Sequence, residues 1–485
     1  MISEPSADKR KSYRYQFVLL LIFIVSLPLL NPWVRGDGVG YYAYARSILI
    51  EHKLDFRQDW LRANASFRMD RIDTDGKIAP SQYTVTGHLD NHFSIGPAIL
   101  WSPFLVLAHA GVLLWDRFGG HVAADGFSRP YLLAMSFGTA FYGFLALVIS
   151  FGLARRFVPE RWAFLATLGV WFASSLPVYM YFNPSWSHAQ SAFTVALFVW
   201  YWLRTRGKRR LAQWILLGVL GGVMMDVYYP NVFLLLFPAF ESLAFYWTDI
   251  RQRCVADAAH LFLKNLAFIA ALVGAFLPTL ITKKIIYGSY FETGYDYHWH
   301  LNSPAFFQVC FSSDHGLFAW TPILILSIAG LVLLQRYDRR FGWYSLCVFA
   351  AFLYFIGCYP DWDGLSSFGN RFFITLTPLF IIGLSVCFDG LVRWLRDQRA
   401  AVVSVSVTTA FVLWNFGLIF QWGMHLVPPR GPISWREAAY NQVAVVPQEA
   451  TSALKDYFLR RASLMQQIER NDVNQLKSQQ EHPAE

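Results

Sequence analysis

The run Phe17-Val18-Leu19-Leu20-Leu21-Ile22-Phe23-Ile24-Val25-Ser26-Leu27-Pro28-Leu29-Leu30 leads through Asn31-Pro32-Trp33-Val34 into Arg35-Gly36-Asp37-Gly38-Val39-Gly40-Tyr41-Tyr42. Lys9, Arg10, Lys11 and Arg14 precede it. Basic residues ahead of an apolar run can open a signal peptide, but no small-residue cleavage site follows, so the run reads as an uncleaved first membrane span. Asp37 then falls a residue or two beyond the bilayer core, on the side opposite the basic N-terminus. Lys, Arg or Trp would anchor a span better than a carboxylate among glycines and tyrosines.

The rest of the chain repeats the apolar theme. Of 485 residues, 55% are hydrophobic, 18% aromatic and only 15% charged, with mean hydropathy +0.33. Long apolar runs at this density define a polytopic α-helical membrane protein. The formal charge of +9 does not point to nucleic acid, because the excess lies in short loops where basic residues set topology. Cys254, Cys310, Cys347, Cys358 and Cys387 show no paired spacing, which argues against a disulfide framework or a zinc motif.

Candidate spans are 16–34, 129–154, 162–182, 186–203, 211–226, 229–247, 261–286, 317–335, 342–359, 371–391 and 402–424. The run 95–115 is ambiguous. Basic clusters recur after every second span: Arg155/Arg156/Arg161, Arg204 to Arg210, Arg251/Arg253, Arg336/Arg339/Arg340 and Arg393/Arg396/Arg399. All should be cytoplasmic. A full span at 95–115 would break this parity, so that run, interrupted by Pro97 and Pro103, is expected to be a juxtamembrane or re-entrant helix on the outer side. The alternative is one further span with one exception to the charge rule. The expectation is about eleven spans, with a cytoplasmic N-terminus (1–15) and a periplasmic C-terminus, in a bacterial inner membrane. The transmembrane domain runs over 16–427, with outer loops 35–128 and 287–316. The tail 428–485 should form a peripheral helix and a frayed end.

The unusual polar residues collect on the outer face, among them Asp37, His88, Asp90, His92, His188, Asp226, Asp314, His315, Asp361, Asp363 and Arg371. A carboxylate there suits general-base chemistry on an acceptor hydroxyl, although Asp37 also fits the N-cap region of a short helix over 41–49. Lys283 and Lys284 defy the charge trend, and either snorkel to the interface or bind phosphate. Arg371 opens a span from the outer side, as a fork for phosphate or a partner of Asp361 or Asp363. His88 and His92, at i and i+4, would share a helical face and could hold a divalent metal, contact substrate, or belong to a solvated loop. His188 reads as a hydrogen-bonded structural residue or a cavity wall. Asp226, ending a short span, is expected to line a cavity. The aromatic and His residues of 295–300 suit a sugar or the interface belt equally.

A first span followed at once by an Asp within a Gly/Tyr motif, then a juxtamembrane helix, resembles the GT-C superfamily of membrane glycosyltransferases, relatives of the protein O-mannosyltransferases and lipid A aminoarabinose transferases. The likeness covers the architecture of the whole chain but rests in motif terms on 35–50. The O-mannosyltransferases carry an acidic pair where Gly38 follows Asp37 here, so the chain departs from that particular family. The resemblance implies a polyprenyl-phosphate sugar donor, an inverting displacement and Asp37 as general base. Lys283, Lys284 and Arg371 would hold the donor phosphate. Tyr41, Tyr42, His88, Asp90, His92, His188 and Asp226 would line the cavity, with a divalent metal possible in principle and the acceptor unspecified. The other reading is a transporter or flippase of lipid-linked saccharides. That would call for mid-span charges and pseudo-symmetric halves, and neither is visible.

Overall fold

A computed structural model describes residues 13–207, 209–252, 255–295 and 298–481. The basic N-terminal cluster Lys9–Lys11, along with Lys208, Arg253 and Cys254, lies outside the described residues. The chain is all-helical apart from isolated bridges at Ile72–Ile78 and Tyr83–Leu89. The longer helices are α1 (Tyr13–Ser26), α2 (Asp37–Leu49), α3 (Gly96–Arg117), α4 (Arg129–Ala154), α5 (Glu160–Phe172), α6 (His188–Thr205), α7 (Leu211–Val227), α8 (Leu236–Arg251), α9 (Val255–Tyr287), α10 (Ile323–Leu334), α11 (Arg339–Cys358), α12 (Thr377–Leu391), α13 (Asp397–Gly423), α14 (Trp435–Ala444), α15 (Val446–Leu459) and α16 (Arg461–Glu481).

Each of the eleven expected spans coincides with a helix. Seven helical segments among the described residues are long and apolar enough to cross a bilayer, α3 among them. Three shorter apolar segments, Tyr13–Leu29, α7 and α10, add to these. The protein is thus a multi-pass α-helical membrane protein. The large core binds the spans through residues such as Trp162, Trp171, Trp202 and Trp320.

Several spans lose regular helix on one face of the bundle. Leu27–Leu29, Tyr229–Leu235 and Arg371–Leu376 tighten to 3-10 turns, and Val178–Phe182 widens to a π turn. Irregular backbone at membrane depth must find new partners. Here Asn231 supplies them. Its amide donates to the Met224 carbonyl (2.9 Å) and bonds Ser191, and Thr375 donates to its carbonyl oxygen.

The helix α3 departs from expectation in form. Pro97 sits in its first turn, where the missing N–H costs nothing, and the helix runs unbroken through Pro103. Pro103 cannot bond the carbonyl four residues back. The Ser102 hydroxyl donates to that Ile99 carbonyl instead (2.7 Å). Gly96 abuts the backbone of Asp226 at the end of α7. Further along, Trp101 Nε1 donates to Thr139 (2.8 Å), and His109 bonds the Tyr131 hydroxyl (2.6 Å). So α3 begins level with the irregular face and runs antiparallel to the first half of α4.

The tail is also more ordered than expected. Residues 435–481 form three helices, α14 to α16, which fold back over the irregular face. Tyr457 donates to the Leu29 carbonyl (2.6 Å), and Glu469 accepts from the Asn64 amide (2.9 Å) and the Ser66 backbone N–H (2.6 Å).

Candidate functional site

The chain turns sharply at Gly36 (φ 53°), a conformation that favours glycine. It then enters α2, whose first turn carries Asp37, a favoured place for a negative charge. Gly38 and Gly40 allow this end of α2 to sit tightly against the side chains of Ser185 and Phe93. A Cβ on Gly38 would lie 1.9 Å from Ser185 Oγ, and one on Gly40 2.0 Å from the Phe93 ring. The glycines of the motif are therefore spacers that set Asp37 against the 183–188 turn. The other end of α2 is pinned by Arg46, which is buried and forks onto Asp59 (2.7 and 2.6 Å) and onto Glu51 (2.6 Å).

Asp37 Oδ2 pairs with Arg371 Nη2 at 2.9 Å, the two side chains being 33% and 9% exposed. The Arg371 guanidinium lies 4.1 Å over the Trp186 ring. The Trp186 indole N–H in turn donates to the Arg35 carbonyl (2.9 Å). The His188 ring packs among Tyr179, Trp186 and Tyr228, at 4.9, 6.1 and 5.7 Å between centroids. The irregular turns at 178–182 and 371–376, with the 183–188 turn, thus bring a carboxylate, a guanidinium and an imidazole to one spot.

That spot opens on a cavity of about 830 Å³. Asp37, Tyr41, His92, His188 and Arg371 line it, so the structure brings these candidates together. The cavity extends as an apolar wing between α13 and the tail helices, walled by Leu413, Phe416, Phe420, Leu454, Leu464 and Ile468. Over it, Asp472 of α16 pairs with Arg35 and bonds His425 (2.8 Å). Burial opposes the Asp472 charge, but Arg35 and His425 outweigh it and hold its carboxyl below the ordinary range.

Other candidates lie elsewhere. Tyr42 faces away and donates to the Gly126 carbonyl (2.6 Å). Lys283 donates to the carbonyls of Asn91 (3.1 Å) and Thr293 (3.2 Å), and Lys284 to Gly288 (2.6 Å); neither lines the cavity. Asp226 is buried and accepts from the Thr279 N–H (3.3 Å). Asp90 accepts from the Tyr287 hydroxyl. His88 and His92 are not on a helix, so the shared helical face does not exist. The His88 ring bonds Thr86 (3.1 Å), whereas His92 packs against Phe93 and Tyr295. Burial, with Lys283 and Arg71 nearby, pushes His92 down to about 3. Of the aromatic loop, Tyr295 lines the cavity, and Asp296 and Tyr297 fall outside the described residues.

Two cations in the cavity wall carried no signal in the sequence. Arg71 donates to the Phe67 carbonyl (3.0 Å) and lies 4.2 Å over that ring. Arg430 lines the wall beyond α13. Among the described residues, neither forms an ion pair.

No family model matches the sequence, and no curated protein matches it. Solved structures resemble the fold at low identity. One is ArnT from Cupriavidus metallidurans bound to undecaprenyl phosphate, at 15% identity over 85% of this chain and 72% of that one, with TM-score 0.46. Another is the archaeal oligosaccharyltransferase AglB from Archaeoglobus fulgidus with an inhibitory peptide and a dolichol-phosphate, at 14% identity over 86% of this chain and 56% of that one, with TM-score 0.48. The apo form of the Archaeoglobus fulgidus oligosaccharyltransferase aligns at 14% identity over 90% of this chain and 57% of that one, with TM-score 0.46. The chain thus spans little more than half the length of the archaeal proteins.

Proposed function

We propose that the protein is a GT-C-type glycosyltransferase that moves a sugar from a polyprenyl-phosphate donor to an acceptor on the periplasmic face of a bacterial inner membrane. The observation that carries this reading is the Asp37–Arg371 pair at the polar end of a cavity whose other end is a long apolar wing. A lipid-linked anionic donor needs both a cation for its phosphate and an apolar path for its chain. A proton acceptor must stand beside them.

In the proposed step the acceptor hydroxyl attacks the anomeric carbon from the face opposite the phosphate. Its proton passes to Asp37, and the bond from the anomeric carbon to the phosphate oxygen breaks, its electron pair going to the lipid phosphate. Arg371 directs the Asp37 carboxylate in the free protein and is placed to take charge from the leaving phosphate. Because Lys283 and Lys284 stand outside the cavity, the second phosphate contact is assigned to Arg71. Tyr41, His92, His188 and Tyr228 wall the sugar. On this reading α3 stays on the outer side, level with the site, and α14 to α16 close the cavity from above.

The test is transfer of radiolabelled sugar from a polyprenyl-phosphate donor by the purified protein, with and without Asp37→Asn. Transfer that depends on Asp37 supports the reading. A variant that turns over like the wild type removes Asp37 from the mechanism.

A further inference from the structure

Next to the cavity, one cluster is not used by the proposed reaction. A ring nitrogen of His315 and one oxygen each of Asp314 and Asp363 fall within 4.8 Å of one another. Asp314 and His315 belong to the turn before α10, and Asp363 belongs to the 359–370 loop that delivers Arg371. Two loops distant in sequence therefore meet through three metal-ligating side chains.

The hydrogen bonding around the cluster is incomplete. His315 is fully buried, its Nδ1 lies 3.2 Å from the Asp363 carbonyl, and its Nε2 has no partner. Asp314 Oδ1 lies 3.6 Å from the same Nδ1, is buried and accepts no hydrogen bond. Among the described residues, no lysine or arginine pairs with Asp314 or Asp363. Arg430 acts on both only at a distance, and the Gly431 N–H bonds Asp314. Buried bare acceptors at such a point are costly unless something is coordinated there.

We propose that Asp314, His315 and Asp363 bind one divalent first-row cation, of the Mn²⁺ or Zn²⁺ type. One imidazole nitrogen with two carboxylate oxygens favours these over Mg²⁺ or Ca²⁺, which prefer oxygen alone. The cation would tie the 312–316 turn to the 359–370 loop. A Cβ on Gly364 of that loop would lie 3.4 Å from Arg371 Nε, so the tie would fix the position of Arg371.

The test measures binding and does not depend on the transfer activity. Full-length protein in detergent is stripped with EDTA and titrated with Mn²⁺, followed by electron paramagnetic resonance, and with Zn²⁺, followed by competition with a chromophoric chelator. The expected result is one saturable equivalent for the wild type, with affinity weakened at least about tenfold in Asp314→Asn and in Asp363→Asn. Asp37→Asn and His92→Gln should bind like the wild type. The two Asn variants keep side-chain shape, so they serve even where His315→Gln does not fold. Their thermal midpoints in EDTA should match the wild type, and added cation should raise only the wild-type midpoint. Absence of a saturable site would overturn the proposal. So would a site retained in the Asp314→Asn/Asp363→Asn double variant or lost in Asp37→Asn. A loss of transfer in Asp37→Asn with cation binding intact leaves the two proposals independently judged.

Discussion

Replacing Arg371 is the most informative perturbation of the site, because its two tasks differ in magnitude. In the folded protein it pairs with Asp37 and stacks over Trp186. Arg371 is 9% exposed but Asp37 is 33% exposed, so the pair falls between the exposed limit of about 0–1 kcal/mol and the buried limit of about 3–5 kcal/mol. With about 1–2 kcal/mol for a largely desolvated cation–π contact, Arg371→Ala should cost about 2–5 kcal/mol of stability. Loss of a charge that meets a developing oxyanion costs about 10²–10³-fold in rate. Arg371→Ala should therefore fold in detergent and transfer sugar about 10²–10³ times more slowly. Arg371→Lys keeps the charge but loses the fork and the flat stack, so it should recover only part. Asp37→Asn leaves the buried Arg371 without its counter-charge, so it should cost about 1–3 kcal/mol of stability and lose about 10²–10⁴-fold in rate as the proton acceptor disappears. The double variant should be little slower than the worse single one, since the two groups act in one step. The assay is single-turnover transfer of labelled sugar beside thermal unfolding of the same samples. Wild-type turnover in a folded Arg371→Ala protein would refute the reasoning, as would fully multiplicative losses in the double variant.

Four shorter expectations accompany it. If α3 stays on the outer side, single cysteines at Val85 and His121, both exposed, should react with an impermeant thiol reagent added outside, above the background of the native cysteines; labelling of His121→Cys only from the cytoplasm would make α3 a span. Gly38→Ala should cost about 1–3 kcal/mol through its clash with Ser185, and Ser185→Gly should restore much of the thermal midpoint. Because His92 stays neutral down to about 3 when folded but titrates near 6.5 when unfolded, its contribution is full above pH 6.5 and lost as pH falls toward 3; His92→Gln should flatten that part of the stability profile. Arg71→Ala should weaken donor binding more than Lys283→Ala and Lys284→Ala combined, and equal effects would return the phosphate to the lysines.

The spans were legible because a bilayer demands long apolar runs closed by charge, and α4 fills 129–154 as read. Asp37 stood out because a carboxylate stood where an anchor belongs, and it lines the cavity. The Pro103 reading failed because a proline is locally a helix breaker, and only the packed chain shows Ser102 answering the freed carbonyl. Lys283 looked like a phosphate ligand because its partners are backbone carbonyls from 91 and 293, which have no sequence signature. Arg71 was hidden among the arginines of a polar loop. The tail looked frayed because its last helix is polar, and it is held by pairs such as Arg35–Asp472 whose members lie at opposite ends of the chain.

The cations of the cavity fall into two groups, and this division bears on how a donor would be taken up. Arg371 and Arg35 already have carboxylate partners, Asp37 and Asp472. Arg71 and Arg430 form no ion pair among the described residues; Arg71 holds a carbonyl and an aromatic face, and Asp70, Asp37 and Asp90 act on it only at a distance. A phosphate entering the cavity gains most at the cation with no carboxylate to displace, because burying an anion demands a new counter-charge. On the proposed assignment of the second phosphate contact to Arg71, the first contact should be there, and engagement of Arg371 should follow as an exchange of partners. That exchange would free the Asp37 carboxylate to accept a proton only once the donor is bound. On the proposed reaction, a base held by an arginine until the leaving group claims that arginine would become available only with the donor in place, so the pairing would set the order of events.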